Sequence, residues 1–320
     1  MKHMKIWTMM AAALFAVSCS NSDVEEVAKK NMADTPITFT AGVNTLVTRS
    51  GHEGTLTEGE IGLYLSTEGA KYDDRYNAYN VKVTRTNGTW VTENMLLWKS
   101  NSAKVSYSAY LPYQEELSIT TFPIVRYREI EPSVTQTAET ILNDDLLYAS
   151  DIVTAEESPN GIALSFKHKL ALLKICLTKA TEVDEDVVVS GVQVTPCSKK
   201  IAMNVENGEL FEPNNGNGTT TVSMYGTKAD EATSNFNDTW EALLVPKTFA
   251  AGTFQLTVTV GTGNEERTFR YTSPNEIKLE EGTINTINLT IGRDKVIMGN
   301  VSAREWTDGT GGTGETIETD

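Results

Sequence analysis

Ile37-Thr38-Phe39-Thr40-Ala41-Gly42-Val43 decides the fold. Apolar residues hold every odd position, and Thr, Thr and Gly hold the even ones. A period of two sends one residue set to a core and the other toward solvent, the mark of a half-buried β-strand. The same alternation recurs outward along the chain. It appears at Ile61, Leu63 and Leu65, and at Val105, Tyr107, Ala109 and Leu111. It returns at Leu164 and Phe166, at Phe254, Leu256, Val258 and Val260, at Phe269 and Tyr271, and at Ile287, Leu289 and Ile291. Asn87-Gly88, Pro159-Asn160-Gly161, Asn207-Gly208 and Gly261-Thr262-Gly263 stand between the runs as hairpin and loop signals. No long helical period competes. Glu139 to Tyr148 suits one short helix or turn. The pattern predicts an all-β chain.

With 320 residues the chain is long enough for two domains. Acid, Pro and Gly gather at Glu156-Glu157-Ser158-Pro159-Asn160-Gly161, a poor strand and a good linker. The expected organisation is a signal peptide over 1–18 and an acidic tether over 19–35. A β-sandwich follows over 36–158, then a second over 159–293, then a C-terminal strand and tail over 294–320. Each half then holds about seven strands, the count of an antiparallel sandwich. Phe166, Leu170, Leu173, Ile175, Phe254, Leu256, Val258 and Leu289 are expected in the core of the second half.

Cys19 governs the expectation for location. Lys2 and Lys5 precede an apolar run from Trp7 to Val17, which has signal-peptide length and is too short to span a bilayer. Ser18 before Cys19 follows the pattern of a bacterial lipoprotein signal. The thiol would be acylated, and several acyl chains would hold the protein on a membrane. An ordinary export signal with an incidental Cys is the plainer alternative. Removing Lys2 and Lys5 from the 27 basic residues leaves 25 against 43 acidic ones, a net charge of −18. That balance argues against nucleic acid, whose footprint is basic.

Chemistry-bearing clusters are sparse. Beyond residue 18 the histidines are His52 and His168, far apart in sequence. His168 stands between Lys167 and Lys169 and is expected at solvent or at a sheet edge. No His and Cys spacing suits zinc, no Gly-x-Ser-x-Gly elbow accompanies a histidine, and no phosphate-cradling loop exists. Asp73-Asp74, Asp144-Asp145 and Asp184-Glu185-Asp186 lack the spacing of a calcium loop and read as solvated turns. No metal, no cofactor and no enzymatic activity are expected. Cys176 and Cys197 are compatible with a disulfide in an exported chain and equally with two buried thiols, since Leu170 to Leu177 is apolar on both faces. Tyr64, Tyr72, Tyr76, Tyr79, Tyr107, Tyr110 and Tyr113 crowd one region together with Trp90 and Trp98. Such a cluster could make a sugar platform, although strands favour Tyr and Trp on packing grounds alone.

Several ordered motifs together resemble the fimbrillin family. They are Ile37-Thr38-Phe39-Thr40-Ala41-Gly42, Thr48-Arg49-Ser50, Ile61-Gly62-Leu63-Tyr64, Trp98-Lys99-Ser100 and Val105 to Tyr113. Asp145-Leu146-Leu147-Tyr148-Ala149, then Leu164 to Ala171, Leu244-Val245-Pro246-Lys247-Thr248-Phe249 and Trp306 to Gly312 continue the series. The resemblance implies two tandem, transthyretin-like antiparallel sandwiches. It implies an outer-membrane surface lipoprotein of Gram-negative anaerobes, related to type V pilus subunits and contributing to adhesion. In such pili a protease cuts after an Arg in the first domain, removing lipid and first strand together. A strand from another subunit then fills the groove. The implied partners are other pilin subunits and the outer membrane, with a host or microbial surface ligand as a further candidate.

The residues fit that mechanism. Arg49 is the first Arg, and Arg49-Ser50-Gly51 suits an exposed, cleavable loop. Cutting there would release Cys19 and the apolar set from Ile37 to Val43, leaving a sheet open to strand addition. Val296, Ile297, Met298, Val301 and Ala303 form an apolar C-terminal stretch that suits a donor strand. The same stretch would equally serve as an edge strand on its own second half. Asp23, Glu25 and Glu26 resemble the acidic signal that sends such lipoproteins to the outer face. An uncleaved surface lipoprotein that binds glycan or host protein is the alternative function.

Overall fold

In a computed structural model of the chain, the residues described are 30–43, 54–120, 125–181, 188–213, 218–228, 238–261, 266–292, 295–306 and 316–317. The first half holds β1 (Phe39–Val43), β2 (Gly54–Thr55), β3 (Glu60–Thr67), β4 (Ala78–Thr86), β5 (Thr89–Thr92), β6 (Val105–Leu111), β7 (Ser118–Ile119), β8 (Arg126–Ile130), helix α1 (Ala138–Asp144), β9 (Leu147–Val153) and β10 (Ile162–His168). Then come β11 (Ala171–Lys179), β12 (Val189–Ser198), β13 (Ile201–Asn204), β14 (Leu210–Phe211), β15 (Thr219–Ser223), β16 (Tyr225–Lys228) and β17 (Asp238–Leu244). The chain finishes with β18 (Lys247–Phe249), β19 (Gln255–Val260), β20 (Arg267–Thr272), β21 (Ile277–Leu279), β22 (Thr283–Ile291), β23 (Val296–Glu305) and β24 (Thr316–Ile317). The all-β expectation holds. The short helix falls where expected and is closed by a capping box between Thr137 and Thr140.

The first half differs from the expected pair of sheets. Its strands run β10-β9-β6-β3-β4-β5-β1-β2, and β10 also pairs with β1. The sheet therefore closes on itself in a barrel-like ring. Closure leaves the inner face to one core, which holds Ile37, Phe39, Leu63, Trp90, Trp98 and Phe166. The β1–β10 pairing is parallel, where an antiparallel neighbour was expected.

The second half is a sandwich. A six-stranded sheet, β16-β17-β11-β22-β23-β24, faces a four-stranded one, β15-β12-β19-β20. Ile175, Leu177 and Ile287 from one sheet meet Val192, Leu256 and Val258 from the other in a shared core. β11 lies between β17 and β22, and its pairing with β22 is parallel. Its two apolar faces have two destinations. Leu173 and Ile175 enter the sandwich core, while Leu170 just before the strand and Leu172 enter a third core. That third core joins the halves, bringing Tyr110, Ile141 and Tyr148 against Leu243, Ile284 and Trp306.

All eight expected core residues are buried, yet two belong elsewhere. Phe166 packs in the first core and Leu170 in the joining core. The reason is that β10, which follows the expected boundary at 158/159, pairs with β1 and β9. Sheet membership changes between His168 and Ala171, one strand later than the Pro-Gly linker signal suggests.

Candidate assembly site

β1 is the strand that closes the first sheet. On one side it lies parallel to β10, from Phe39 against Ile162 to Val43 against Phe166. On the other it meets β5 at Phe39 and Trp90, and β2 at Gly42 and Val43. Without it, β10 and β5 become the two edges of an open sheet. Ile37, Phe39, Ala41 and Val43 are buried, and Thr38 and Thr40 face out. The chain ahead of β1 is pinned as well. Asp34 N–H donates to Trp98 O at 2.7 Å, and Ile37 N–H donates to Leu96 O at 2.8 Å. Ile37, Phe39 and Val43 at about 1.5–3 kcal/mol each put the apolar contribution of this segment at roughly 5–9 kcal/mol. That is comparable to the whole stability of an ordinary domain, about 5–15 kcal/mol.

Cys19, Asp23, Glu25, Glu26, Arg49 and Ser50 lie outside the described residues. Val43 and Gly54, which flank residues 44–53, are paired across β1 and β2.

The C-terminal stretch is folded back on its own second half. β23 pairs antiparallel with β22, from Glu305 against Thr283 to Val296 against Ile291. Val296, Met298 and Val301 are half-buried against the sandwich core, while Ile297 and Ala303 are exposed. Simple alternation would send Val301 outward with Ile297. A bulge reverses it, because Gly299 and Asn300 together oppose Asn288 alone. Beside this strand lies a groove of about 600 Å³, lined by Tyr271, Pro274, Ile277, Val296, Met298 and Val301.

Trp306 fastens the end of β23. Its backbone N–H donates to Gly282 O at 2.7 Å, and its side chain is buried in the joining core. The His168 ring stacks on it, with centroids 3.4 Å apart and planes 5° apart. His168 Nδ1 lies 2.9 Å from Asp145 Oδ1, and both side chains are fully buried. Its lysine neighbours predict His168 at solvent or at a sheet edge, and its burial overturns the solvent alternative. Period two was the better signal: Ile162, Leu164, Phe166 and His168 share the inner face of β10, and Lys167 faces out. Trp306 and Asp145 were missed as site residues, since nothing in their local sequence links them.

The two thiols are free and buried, so of the two alternatives open for Cys176 and Cys197 the structure has the buried thiols. Burial pushes the Cys197 thiol up to about 12, and Cys176 is raised for the same reason. Among the described residues no group of His, Cys, Asp and Glu could hold a metal. Hydrogen bonds from Arg75 hold the Asp73 carboxyl below the usual range, and Asp144 accepts from Ser133 N–H at 2.8 Å. No helix among the described residues is long and apolar enough to cross a membrane.

A barrel-like closed sheet joined to a sandwich whose penultimate strand, β23, carries half-buried apolar side chains defines an all-β protein of two joined parts. The chain belongs to the fimbrillin-like family, whose model matches residues 48–306. Solved structures share the fold. A proposed cell adhesion protein from Bacteroides uniformis is 20% identical with a TM-score of 0.60, covering 85% of this chain and 99% of that one. One from Bacteroides ovatus is 18% identical with a TM-score of 0.62, covering 86% and 98%. A fimbrial protein from Bacteroides vulgatus is 19% identical with a TM-score of 0.53, covering 85% and 100%. No curated protein matches. The family is one of fimbrial structural proteins rather than of enzymes, and it points to the cell surface or fimbrium.

Proposed function

We propose that the chain is a lipid-anchored pilus-subunit precursor assembled by strand exchange. Acylation at Cys19, with Asp23, Glu25 and Glu26 directing export, would hold it on the outer membrane. Cleavage between Arg49 and Ser50 would remove the lipid and β1 together. The C-terminal strand of another subunit, through Val296, Ile297, Met298, Val301 and Ala303, would then occupy the place beside β10.

One observation carries the reading: β1 alone closes the first sheet, and it does so with features any extended apolar strand can supply. Those are a backbone ladder along β10 and alternate side chains in core pockets. Within this reading the halves are related, transthyretin-like modules, the first sealed by β1. The half-buried side chains of β23, and its cover on the outer side by only the two-residue β24, support its release as a donor. Intact mass of surface-shed protein tests the proposal. A chain beginning at Ser50 supports it, and an acylated chain beginning at Cys19 counts against it.

The alternative, an uncleaved anchored binder of glycan or host protein, is favoured by a different observation. Both β1 and β23 are seated within the same chain, which leaves the fold complete without a partner.

A further inference from the structure

We propose that the outer face of the first sheet carries a binding cleft for a neutral sugar, built from Tyr64, Tyr79, Arg126 and Glu206. The cleft has a volume of about 310 Å³, and Ser66 and Ser106 also line it. That is the lower end of the range for small-ligand sites, roughly 300–1,000 Å³. Its floor is two cross-strand pairs of β3 and β6, Tyr64 with Ser108 and Ser66 with Ser106.

Tyr79 is aimed into the rim by a bulge. Pairing of β3 with β4 slips between Leu63–Val81 and Leu65–Ala78, so Tyr79 and Asn80 together oppose Tyr64. Asn80 holds φ at +52°, an unfavourable conformation for a residue with a Cβ. Three hydrogen bonds fix it there. Tyr110 Oη donates to Asn80 Oδ1 at 2.7 Å, and Asn80 Nδ2 donates to Gln114 O at 3.0 Å and Glu115 O at 3.1 Å. The result is a ring 62% exposed on a fixed backbone. Bulges that re-aim a side chain in this way gather at functional sites.

The opposite wall comes from the second half of the chain. Glu206 sits in the β13–β14 turn, which is seated on the first sheet. Tyr148 Oη donates to Glu206 O at 3.0 Å, and Ser108 Oγ donates to Val205 O at 2.9 Å. Gly208, at φ +74°, leaves no room for a Cβ against the Tyr148 ring. Arg126 Nη1 lies 3.6 Å from Glu206 Oε1, beyond hydrogen-bond range, with both side chains about half exposed. The pair therefore keeps donors and acceptors available side by side. Tyr64 Oη is buried without a hydrogen-bond partner among the described residues. Burial, more than its charged neighbours, pushes that phenol up to about 12, so it stays neutral and can donate.

This set matches a polyol. An aromatic face takes the C–H face of a pyranose, while a carboxylate and a guanidinium take adjacent hydroxyls. A peptide strand is disfavoured, since β3 and β6 are already paired on both sides. An anion is disfavoured by Glu206 and by a net charge of −16.

Saturation-transfer NMR on the full chain tests the site, using lactose, cellobiose, N-acetyllactosamine and methyl mannoside as probes. At least one sugar should bind. Tyr79→Ala and Arg126→Gln should each weaken that sugar by about tenfold or more. Tyr72→Ala, another exposed tyrosine away from the cleft, should leave it unchanged. Melting curves should show both cleft variants folded, because the two side chains are exposed. Silence from all four sugars, or equal binding by wild type and both cleft variants, overturns the proposal. The measurement needs no polymer, so its failure leaves the assembly reading untouched.

Discussion

His168 shows what a single position reveals and hides. Its neighbours in sequence are lysines, so composition sends it outward, while the period of β10 sends it inward beside Phe166. Its partners, Asp145 and Trp306, lie 23 and 138 positions away, and no local pattern announces them. The same distance hides the cleft: Tyr64, Tyr79, Arg126 and Glu206 become neighbours only through the turn seated on Tyr148. Trp306→Ala should loosen the end of β23, leaving His168 and Asp145 without their cover. We expect a loss of about 3–5 kcal/mol, read by urea unfolding, and faster amide exchange along β23 than in β22. Equal exchange in the two strands would remove Trp306 from that role. The thiols give a second check. Cys176 and Cys197 are buried, and their pKa values are raised, so little thiolate exists at pH 8. Ellman's reagent should react with neither in the native chain and with both after unfolding. Rapid native labelling would contradict the packing of β11 and β12.

The strands themselves were legible, because each has a face to bury and a face to wet. Alternation found β1, β3, β6, β10, β19 and β22. Pairing was less legible. Nothing in Leu164 and Phe166 says that β10 joins the first sheet rather than the second, since a buried strand reads alike in either. The bulge in β23 was also hidden, although Gly299-Asn300 is a composition that permits one. At this scale β1 makes the clearest prediction. A fragment from Ser50 onward lacks the buried set of β1, so it should be destabilised by several kcal/mol, on the order of the apolar burial lost. A synthetic peptide covering residues 35–45 should bind the fragment and restore most of the lost melting temperature. A scrambled peptide of the same composition should not. If the fragment melts like the full chain, β1 contributes too little to be worth replacing.

Across the whole molecule, the third core decides how the halves behave. Leu170, Leu172, Leu243 and Ile284 bury the side of the sandwich against Tyr110, Ile141 and Tyr148. A Pro-Gly turn therefore marks a loop rather than a hinge between independent bodies. The full chain should accordingly unfold in one transition, and Leu172→Ala should lower it as a unit by about 2–5 kcal/mol. Two separated transitions would show that the joining core couples little. Assembly must work against this cohesion. A donor strand has to leave β22, where Val296, Met298 and Val301 are half-buried, and enter a groove lined by the former neighbours of β1. The exchange is favourable only if fuller burial in the groove exceeds the loss of contacts with β22 and β24, which the deep burial of Ile37, Phe39 and Val43 supports. Deleting 294–320 should thus leave a chain that keeps its first core and forms no fibres. Arg49→Ala should leave a lipidated precursor with β1 in place that accepts no donor. Mixing the two, with the protease present, should yield at most dimers, because one variant has a groove without a donor and the other a donor without a groove. Fibres in that mixture, seen by electron microscopy, would sink strand exchange and leave the anchored binder as the function.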